Sequence, residues 1–393
     1  MTDKLIDLSQ YKITDEETQA PHFESVLRLE HGEAAGLAKV GVILDEGQRS
    51  GTYLMRDFHS VCSYSNVEGL EILPIAEALR KYDWLEEKYY WQLIHPDEDQ
   101  ITNLVESQEE PQGFFLKVFA NHKVEYPYQT ALYMASANIA QVIHNIVVVE
   151  EGASLELITG CLTHQQVDRG LHFAVTESYV GENAKLTNTM VHSWGADVTV
   201  RPRAATSVDA GGIFTSNYVS MRTGADIVSN PSIYLNGEGA SANFMSVILA
   251  EKGSHVNTGT TVYLNGTDTS AELKHRGVST GGQIYQGGLV IGNNSCRAHI
   301  DCSGMLIGEA TDGFIQSVPG IRANSNEAQL SHEASIGRIA PEQVEYLMSR
   351  GFEEGDAISL IIRGFLDAGI TGLGSELDAA IRHITDVAAQ GEG

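Results

Sequence analysis

The fold is decided by a stretch that begins Glu151-Gly152-Ala153-Ser154-Leu155-Glu156-Leu157-Ile158, in which a turn of small and polar residues leads into a strand-like segment. The same pairing of turn and segment recurs from about Ile143 to Pro319, without helical periodicity. The further turns read Gly181-Glu182-Asn183-Ala184, Asp209-Ala210-Gly211-Gly212, Gly237-Glu238-Gly239-Ala240, Lys252-Gly253-Ser254, Asn265-Gly266-Thr267-Asp268 and Gly292-Asn293-Asn294-Ser295. Such degenerate repetition predicts a β-solenoid, whose coils bury their inward residues against one another. Because the turns are unevenly spaced, an ordinary β-sandwich is the alternative.

The region before the repeats is mixed. Residues 71–91 carry apolar side chains at helical spacing, with Pro74 near the first turn, and this pattern predicts a helix. Residues 114–120 read as a strand.

The region after the repeats is helical. Pro341 begins a first helix that ends at Arg350-Gly351, where glycine provides the cap. A second helix is expected from about Glu354 through Phe365 and a third from about Glu376. The last residues, 388–393, read as a frayed tail.

The composition limits the possible partners. The chain has 393 residues, and its 52 Asp and Glu against 25 Lys and Arg give a formal charge of −27. This field repels nucleic acid and anionic membranes, so we expect neither as a partner. The charge either attracts cations or a basic protein surface, or only aids solubility.

The location is expected to be cytoplasmic. No apolar run approaches the roughly 18 residues that span a bilayer. Residues 1–5 lack the basic-then-apolar pattern of a secretory signal. Four cysteines in so long a chain argue against a disulfide framework and suggest buried thiols, metal ligands or reactive groups.

Three side chains near the end of the repeats could bind a metal. Cys302 ends a segment in which alternation places it on the same face as Cys296, and His332-Glu333 follows thirty residues later. Successive residues of a strand point to opposite faces, so His332 and Glu333 would separate. Thiolate, imidazole and carboxylate bind iron, zinc or iron–sulfur clusters. The alternative is a buried cysteine beside a surface histidine and a solvated glutamate.

Other candidate residues carry weaker signals. Cys161 ends an apolar strand and is either a core thiol or a reactive one, and Cys62 has no assigned role. The histidines His164, His172 and His192 lack metal-ligand spacing and read as structural or exposed. Nucleotide-binding and nucleophile-elbow motifs are absent, so direct ATP binding and serine hydrolase chemistry are not supported.

The last 250 or so residues resemble the SufB/SufD family, scaffold proteins of the SUF-type iron–sulfur cluster assembly system. The matching stretches are Asn138-Ile139-Ala140-Gln141, Gly160-Cys161, His275-Arg276-Gly277-Val278-Ser279, Cys302-Ser303-Gly304-Met305-Leu306-Ile307-Gly308, Gln329-Leu330-Ser331-His332-Glu333-Ala334 and Leu347-Met348-Ser349-Arg350-Gly351. The resemblance implies a right-handed parallel β-helix core over residues 136–340, a mixed N-terminal region over 1–135 and a C-terminal helical domain over 341–393.

The resemblance also implies functional residues. Cys302 matches the SufB cysteine implicated in cluster assembly, and Cys161 matches the one implicated in accepting sulfur. SufB has Glu-His-Glu where this chain has Ser331-His332-Glu333, whereas SufD has Ser-His-Gly there. The chain therefore looks like a hybrid, with Cys302, His332 and Glu333 as its cluster ligands. Cys296 has no recognised counterpart.

The implied function is a scaffold, not an enzyme, on which a transient iron–sulfur cluster is built and passed to recipient apoproteins. The hybrid motif suggests a homodimer joined through the last β-helix strands. A SufC-like ABC-type ATPase would bind the C-terminal helices through Arg350, Ile358, Ile361, Ile362 and Phe365. The alternatives are a SufD-like structural partner that binds no cluster and a β-helix carbohydrate-active enzyme.

Overall fold

The chain winds into a β-solenoid. Our computed structural model describes residues 5–14, 31–223, 226–307 and 313–366. Strands make up 52% and helices 16%, and the solenoid has about seven turns. This confirms the solenoid prediction over the sandwich. The third helix and the tail, predicted from about Glu376, lie outside the described residues.

One wall of the solenoid is a ten-stranded sheet, here called sheet 1. Its strands, numbered along the chain and given in spatial order, are β2 (His59–Ser65), β1 (Gly51–Arg56), β5 (Tyr128–Met134), β7 (Ser154–Thr163), β9 (Lys185–Trp194), β11 (Ile213–Thr223), β14 (Ser241–Ala250), β17 (Thr269–Ser279), β19 (Cys296–Leu306) and β21 (Ala328–Arg338). The pair β1–β2 is antiparallel, and the other neighbours are parallel. Because β1 and β5 precede residue 136, the sheet already includes strands of the N-terminal region.

The opposite wall is an eleven-stranded sheet, here called sheet 2. In spatial order its strands are β12 (Asp226–Ser229), β15 (His255–Thr258), β18 (Gln283–Gly292), β16 (Thr261–Leu264), β13 (Ser232–Leu235), β10 (Asp197–Val208), β8 (Arg169–Val180), β6 (Ala140–Val149), β4 (Phe114–Val118) and β3 (Leu70–Pro74), with β20 (Phe314–Ala323) beside β18. Two short strands can lie beside the two halves of one long strand. For example, β15 pairs with the first half of β18 and β16 with the second half.

An asparagine ladder aligns successive coils at one turn. Each later asparagine donates a hydrogen bond from Nδ2 to Oδ1 of the asparagine in the preceding coil. The bonds run from Asn265 to Asn236, from Asn293 to Asn265 and from Asn324 to Asn293, with N···O distances of 2.8, 2.7 and 2.7 Å. The partners are 28 to 31 residues apart in the chain. The coil length therefore varies, which is the physical reason for the uneven turn spacing in the sequence.

The helix predicted over residues 71–91 is wrong at its start. Residues Leu70–Pro74 form β3, antiparallel to β4, and helices follow only as α2 (Ile75–Lys81) and α3 (Asp83–Lys88). Leu70 and Ile72 are buried on one face of β3, an alternation that overrides the helical spacing. The strand at Phe114–Val118 is two residues shorter than predicted.

Helices and the chain start cover the outer faces of both sheets. On sheet 1, α1 (His31–Lys39) and α6 (Glu354–Leu366) pack on one apolar strip, and α5 (Pro341–Ser349) precedes α6. On sheet 2, α2 and α3 cover one strip, and α4 (Gln100–Glu106) with residues 5–14 covers another. A short 3-10 helix occupies Glu46–Gln48. The structure thus confirms the two helices predicted after Pro341.

Within the described ranges, no helix is both long and apolar enough to cross a membrane.

Candidate functional site

Cys302 is a buried thiol in the strand next to the end of sheet 1. In β19, Cys296 and Cys302 face the interior while His299 and Asp301 face outward, as the alternation predicted. The Cys302 side chain has no exposed surface. Burial, helped by the Asp301 carboxylate, raises the pKa of the Cys302 thiol to about 12. The thiol is therefore protonated at neutral pH until something displaces its proton.

A file of interior side chains leads from Cys302 back along sheet 1, one residue per strand. In register with one another, these residues are Thr159, Met190, Tyr218, Ser246, His275 and Cys302. His275 is fully buried, and its Nδ1 lies 2.8 Å from Ser246 Oγ in a hydrogen bond. The thiol of Cys302 thus ends a partly polar file inside the solenoid.

Cys161 lies near the other end of this file, two residues after Thr159. It is on β7, faces the interior and is in register with His192 of β9. The Nδ1 of His192 lies 3.0 Å from the hydroxyl of Tyr218. This hydrogen bond links His192, the register neighbour of Cys161, to the file that reaches Cys302. Five strand spacings separate β7 from β19, so the two thiols are roughly 24 Å apart along the solenoid axis.

The outer side of the Cys161 strand is sealed. Gly160 faces outward, and a Cβ there would lie 2.5 Å from Cγ2 of Val40. Leu162 packs in the same strip as Leu37 of α1. Only glycine permits this close approach, so the N-terminal segment covers the strand and Cys161 faces the interior alone.

A cavity of about 90 Å³ lies beside Cys161, between the two sheets. Its walls include Cys161, His172, His192 and Tyr218. His172 is buried, and its Nδ1 lies 2.9 Å from Oε1 of Gln141. Both histidines are buried in the interior rather than exposed, and within the described residues neither belongs to a group of three His, Cys, Asp or Glu side chains that could hold a metal.

Burial keeps the interior histidines neutral. It lowers the pKa of His172 and of His192 to about 3, with a further lowering of the latter by His172. Burial likewise lowers the pKa of His275 to about 4, with the Arg276 charge adding to the effect. In the unfolded chain these imidazoles regain an ordinary pKa of about 6.5.

We therefore predict that acid destabilises this protein between about pH 6.5, the pKa of the unfolded imidazoles, and about pH 3, the folded pKa of His172 and His192. In this window the unfolded chain binds protons that the folded chain does not, so the free energy of unfolding falls as the pH falls. With three imidazoles contributing, the slope approaches about 4 kcal/mol per pH unit. Urea unfolding at pH 7.5, 6.0 and 5.0 measures it, and His275→Gln should flatten the slope. An unfolding free energy that is constant from pH 7.5 to 5.0 would contradict this.

His332 and Glu333 lie on β21, the last strand of sheet 1, and both are exposed. His332 is in register with the inward-facing Ile300, and Glu333 with the outward-facing Asp301, so the prediction that they take opposite faces is confirmed. Glu333 Oε1 lies 3.6 Å from Nε2 of His299 on the outer face.

The register places Cys302 opposite Ala334. Ala334 follows His332 by two positions along β21 and therefore lies on the same face of the strand as His332. Cys302 and His332 are therefore diagonal neighbours on adjacent strands, while Glu333 points away from both. Across the described ranges, no three His, Cys, Asp or Glu side chains come together as a metal site. One subunit thus brings a thiol and an imidazole near each other without completing a ligand set.

Comparison with known proteins places this geometry in a family. The model for "SUF system FeS cluster assembly, SufBD core domain" matches residues 132–365. The chain belongs to the SufBD family. It is 39% identical to an iron-sulfur cluster assembly SufBD family protein of Archaeoglobus fulgidus over 353 residues, which cover 90% of this chain and 94% of that protein. A homologue from Methanothermobacter thermautotrophicus strain Winter is 37% identical over 360 residues, 90% of this chain and 87% of its own length.

The family match confirms the resemblance drawn from the motifs, and with it a role in iron–sulfur cluster assembly. The matched residues include every strand from β6 to β21 and nearly all of α6. A more distant SufBD relative, from Staphylococcus aureus strain MRSA252, is 26% identical over 315 residues.

The C-terminal helices of this SufBD protein present only some of the predicted docking residues. Ile362 is fully buried on the outer strip of sheet 1, while Ile358, Ile361 and Phe365 are half-buried against it. Arg350 is exposed and stacks its guanidinium 5.2 Å from the ring centre of Tyr346. Ile362 therefore packs the helix on the solenoid, and partner contact cannot use it in this conformation.

The exposed apolar surface of these helices comes from other residues. Among the described residues from Pro341 onward, the exposed large apolar side chains are Tyr346 and Met348 of α5, Phe352 between the two helices and Leu360 of α6, which together we call the helix patch. The apolar stretch around Leu360 signalled an amphipathic helix, but not which of its faces packs on the solenoid.

The interior residues His192, Tyr218, Ser246 and His275 were also missed as a group. Their signal in the sequence is a polar residue at an inward position in successive coils. Finding it requires the strand register, because the coil length varies.

Proposed function

We propose that this SufBD protein is a scaffold on which an iron–sulfur cluster is built and from which it passes to recipient apoproteins, with no catalytic activity of its own. Cys302, His332 and Glu333 would bind the cluster as cargo. The observation that carries the proposal is the placement of a buried, protonated thiol one strand from the open end of sheet 1, with His332 diagonal to it. Mixed thiolate, imidazole and carboxylate ligation is more labile than four thiolates, which suits transfer.

The free edge of β21 supports a homodimer. β21 is the end strand of sheet 1, and nothing in the described part of the chain pairs with its outer edge. An exposed strand edge of this length is a template for pairing with another strand. A dimer joined there by a twofold axis would contain two equivalent sites. In each of them, Cys302 of one copy would approach His332 of the other.

The sulfur for the cluster would enter at Cys161. Burial raises the pKa of the Cys161 thiol, so this thiol would give up its proton as it attacks the outer sulfur of a donor persulfide, and the proton would end on the donor thiolate that leaves. His192 and three polar members of the interior file, Tyr218, Ser246 and His275, would offer the sulfur a polar route toward Cys302. None of the four cysteines forms a disulfide in the described part of the chain, which is typical of the reducing cytoplasm where we place the protein.

An ABC-type ATPase is the proposed source of conformational work, since the chain itself has no nucleotide-binding loop. The helix patch offers an apolar docking surface, and the acidic charge of −27 favours a partner with basic groups around its contact. Because Cys302 is sealed at rest, the ATPase would have to move the two copies to let iron and sulfide reach it.

The dimer seam is tested by Ile336→Lys. Ile336 lies on β21 and is 44% exposed. In a twofold interface the substitution occurs twice, so we expect buried lysines to convert the dimer to monomer at micromolar concentration and to prevent cluster assembly. Size-exclusion chromatography with light scattering measures the mass.

Ile213→Lys is the matched control, since Ile213 is 38% exposed at the start of β11, away from the seam. It should leave the dimer intact. A wild-type protein that is monomeric, or an Ile336→Lys protein that stays dimeric, would refute the proposed seam.

A further inference from the structure

The cavity beside Cys161 has the size and chemistry to hold one additional atom. Its volume of about 90 Å³ exceeds several-fold the ~10–15 Å³ that admits a water molecule. It is formed within the apolar interior, with Leu157, Leu186 and Phe214 among its walls. A small ligand could occupy this volume without displacing a side chain.

Three residues of the cavity wall carry a buried polar atom without a hydrogen-bond partner in the described part of the chain, namely Asn188 (Oδ1), His192 (Nε2) and Thr258 (Oγ1), and of these His192 is the one in register with Cys161. The Nε2 of His192 is buried and, within the described residues, makes no hydrogen bond, while its Nδ1 is bonded to Tyr218. Buried polar atoms without partners are rare in folded proteins, and each calls for an explanation. His192 is in register with Cys161 on the same face, so the unpartnered atom belongs to the residue next to the thiol.

We assign the Tyr218 phenol as the donor and His192 Nδ1 as the acceptor of the hydrogen bond between them, and this assignment sets which form of the imidazole meets the cavity. Burial keeps the Tyr218 phenol protonated, so it can donate to His192 Nδ1. The neutral imidazole then carries its own proton on Nε2. With this assignment, His192 offers an N–H donor that makes no hydrogen bond to any residue the structure describes.

We propose that His192 donates this hydrogen bond to the terminal sulfur of a persulfide on Cys161, making the cavity the holding site for the sulfur to be transferred. The inference rests on the proposed role of Cys161 as sulfur acceptor and adds the residue that retains the sulfur. A persulfide is more acidic than a thiol, and its anion would be costly in this apolar cavity without a donor. His192 is thus a positioning residue, and Tyr218 orients it.

The loading step is balanced without an oxidant. Cys161–SH reacts with a donor R–S–SH to give Cys161–S–SH and R–SH. The bond between the donor sulfur and the outer sulfur breaks as the bond to the Cys161 sulfur forms, and the thiol proton ends on the departing R–S⁻. The number of sulfur–sulfur bonds is unchanged.

The test is the equilibrium occupancy of Cys161 in the full-length protein. Glutathione persulfide and glutathione are mixed with the protein at a fixed ratio, and the end point is approached from loaded and from unloaded protein. Mass spectrometry of the alkylated Cys161 peptide measures the fraction that carries one extra sulfur atom. We expect His192→Ala to lower the exchange equilibrium constant about tenfold, the effect of losing a hydrogen bond to a charged group.

Rescue separates a donor from a merely structural side chain. His192→Gln keeps an N–H donor and should stay within about twofold of wild type. Tyr218→Phe removes only the orienting hydroxyl and should give an intermediate loss. Ile284→Val changes an apolar interior residue that does not line the cavity and should have no effect. If His192→Ala does not fold, the glutamine and phenylalanine variants still decide the question.

Two failures are distinguishable. If wild type loads Cys161 and His192→Ala or Tyr218→Phe loads it equally well, or if His192→Gln falls as far as His192→Ala, the role of His192 is refuted while Cys161 remains the acceptor. If wild type carries no more sulfur at position 161 than Cys161→Ser does, the proposed sulfur acceptor itself is refuted.

Discussion

Replacing Cys302 by serine is expected to lower the iron and acid-labile sulfide retained by the complex with the ATPase by more than about tenfold. The reason lies in the proton on the thiol. The pKa of Cys302 is raised to about 12, so only metal binding can remove this proton and generate the thiolate ligand. A serine hydroxyl is less acidic and a poorer ligand for iron, so the site cannot form.

The matched control is Cys296→Ser. Cys296 is buried on the same face of the same strand, six residues before Cys302. Its replacement should change cluster content little, whereas His332→Ala and Glu333→Ala should each reduce it strongly and leave the dimer intact. A Cys302→Ser protein that assembles cluster as well as wild type would show that the site lies elsewhere.

The second large effect is expected at the helix patch. Phe352→Asp combined with Leu360→Asp should abolish co-purification with the ATPase, because both side chains are 43% exposed and a carboxylate there would be buried without a partner. Co-expression followed by affinity capture of the ATPase measures the retained fraction.

Removing the chain from Pro341 onward is a weaker test than these substitutions. The deletion would expose the apolar strip of sheet 1 that Ile362 and Leu366 cover, and this exposure would lower the stability and solubility of the solenoid itself. Tyr126→Asp is the matched control, since Tyr126 is 46% exposed before β5 and should not affect capture. Undiminished capture of the double variant would exclude the helix patch as the docking surface.

Much of the fold could be predicted because its signals are local. Turns of glycine and asparagine alternate with strand-like segments, and Pro341 begins a helix by a rule that involves only its own turn. The alternation of Cys296 with Cys302, and the opposite faces of His332 and Glu333, also follow from strand geometry alone.

The remainder depends on contacts between distant residues. The alternation of Leu70 and Ile72 became a strand because β4 pairs with it, although the helical spacing around them was equally good. Ile362 and Leu360 are both apolar, and only the position of α6 on sheet 1 decides which is buried. The role proposed for His192 can be inferred only from the strand register, which places it beside Cys161.

The central claim, that this SufBD protein builds a cluster rather than only supporting a partner that does, is tested most directly by an anaerobic absorption spectrum. The protein is purified with its ATPase, supplied with ferrous iron, sulfide and ATP, and freed of unbound reagents. We predict visible sulfide-to-iron charge-transfer bands in wild type and their loss in Cys302→Ser. A wild-type complex that stays colourless under these conditions would contradict the claim and leave a purely structural role.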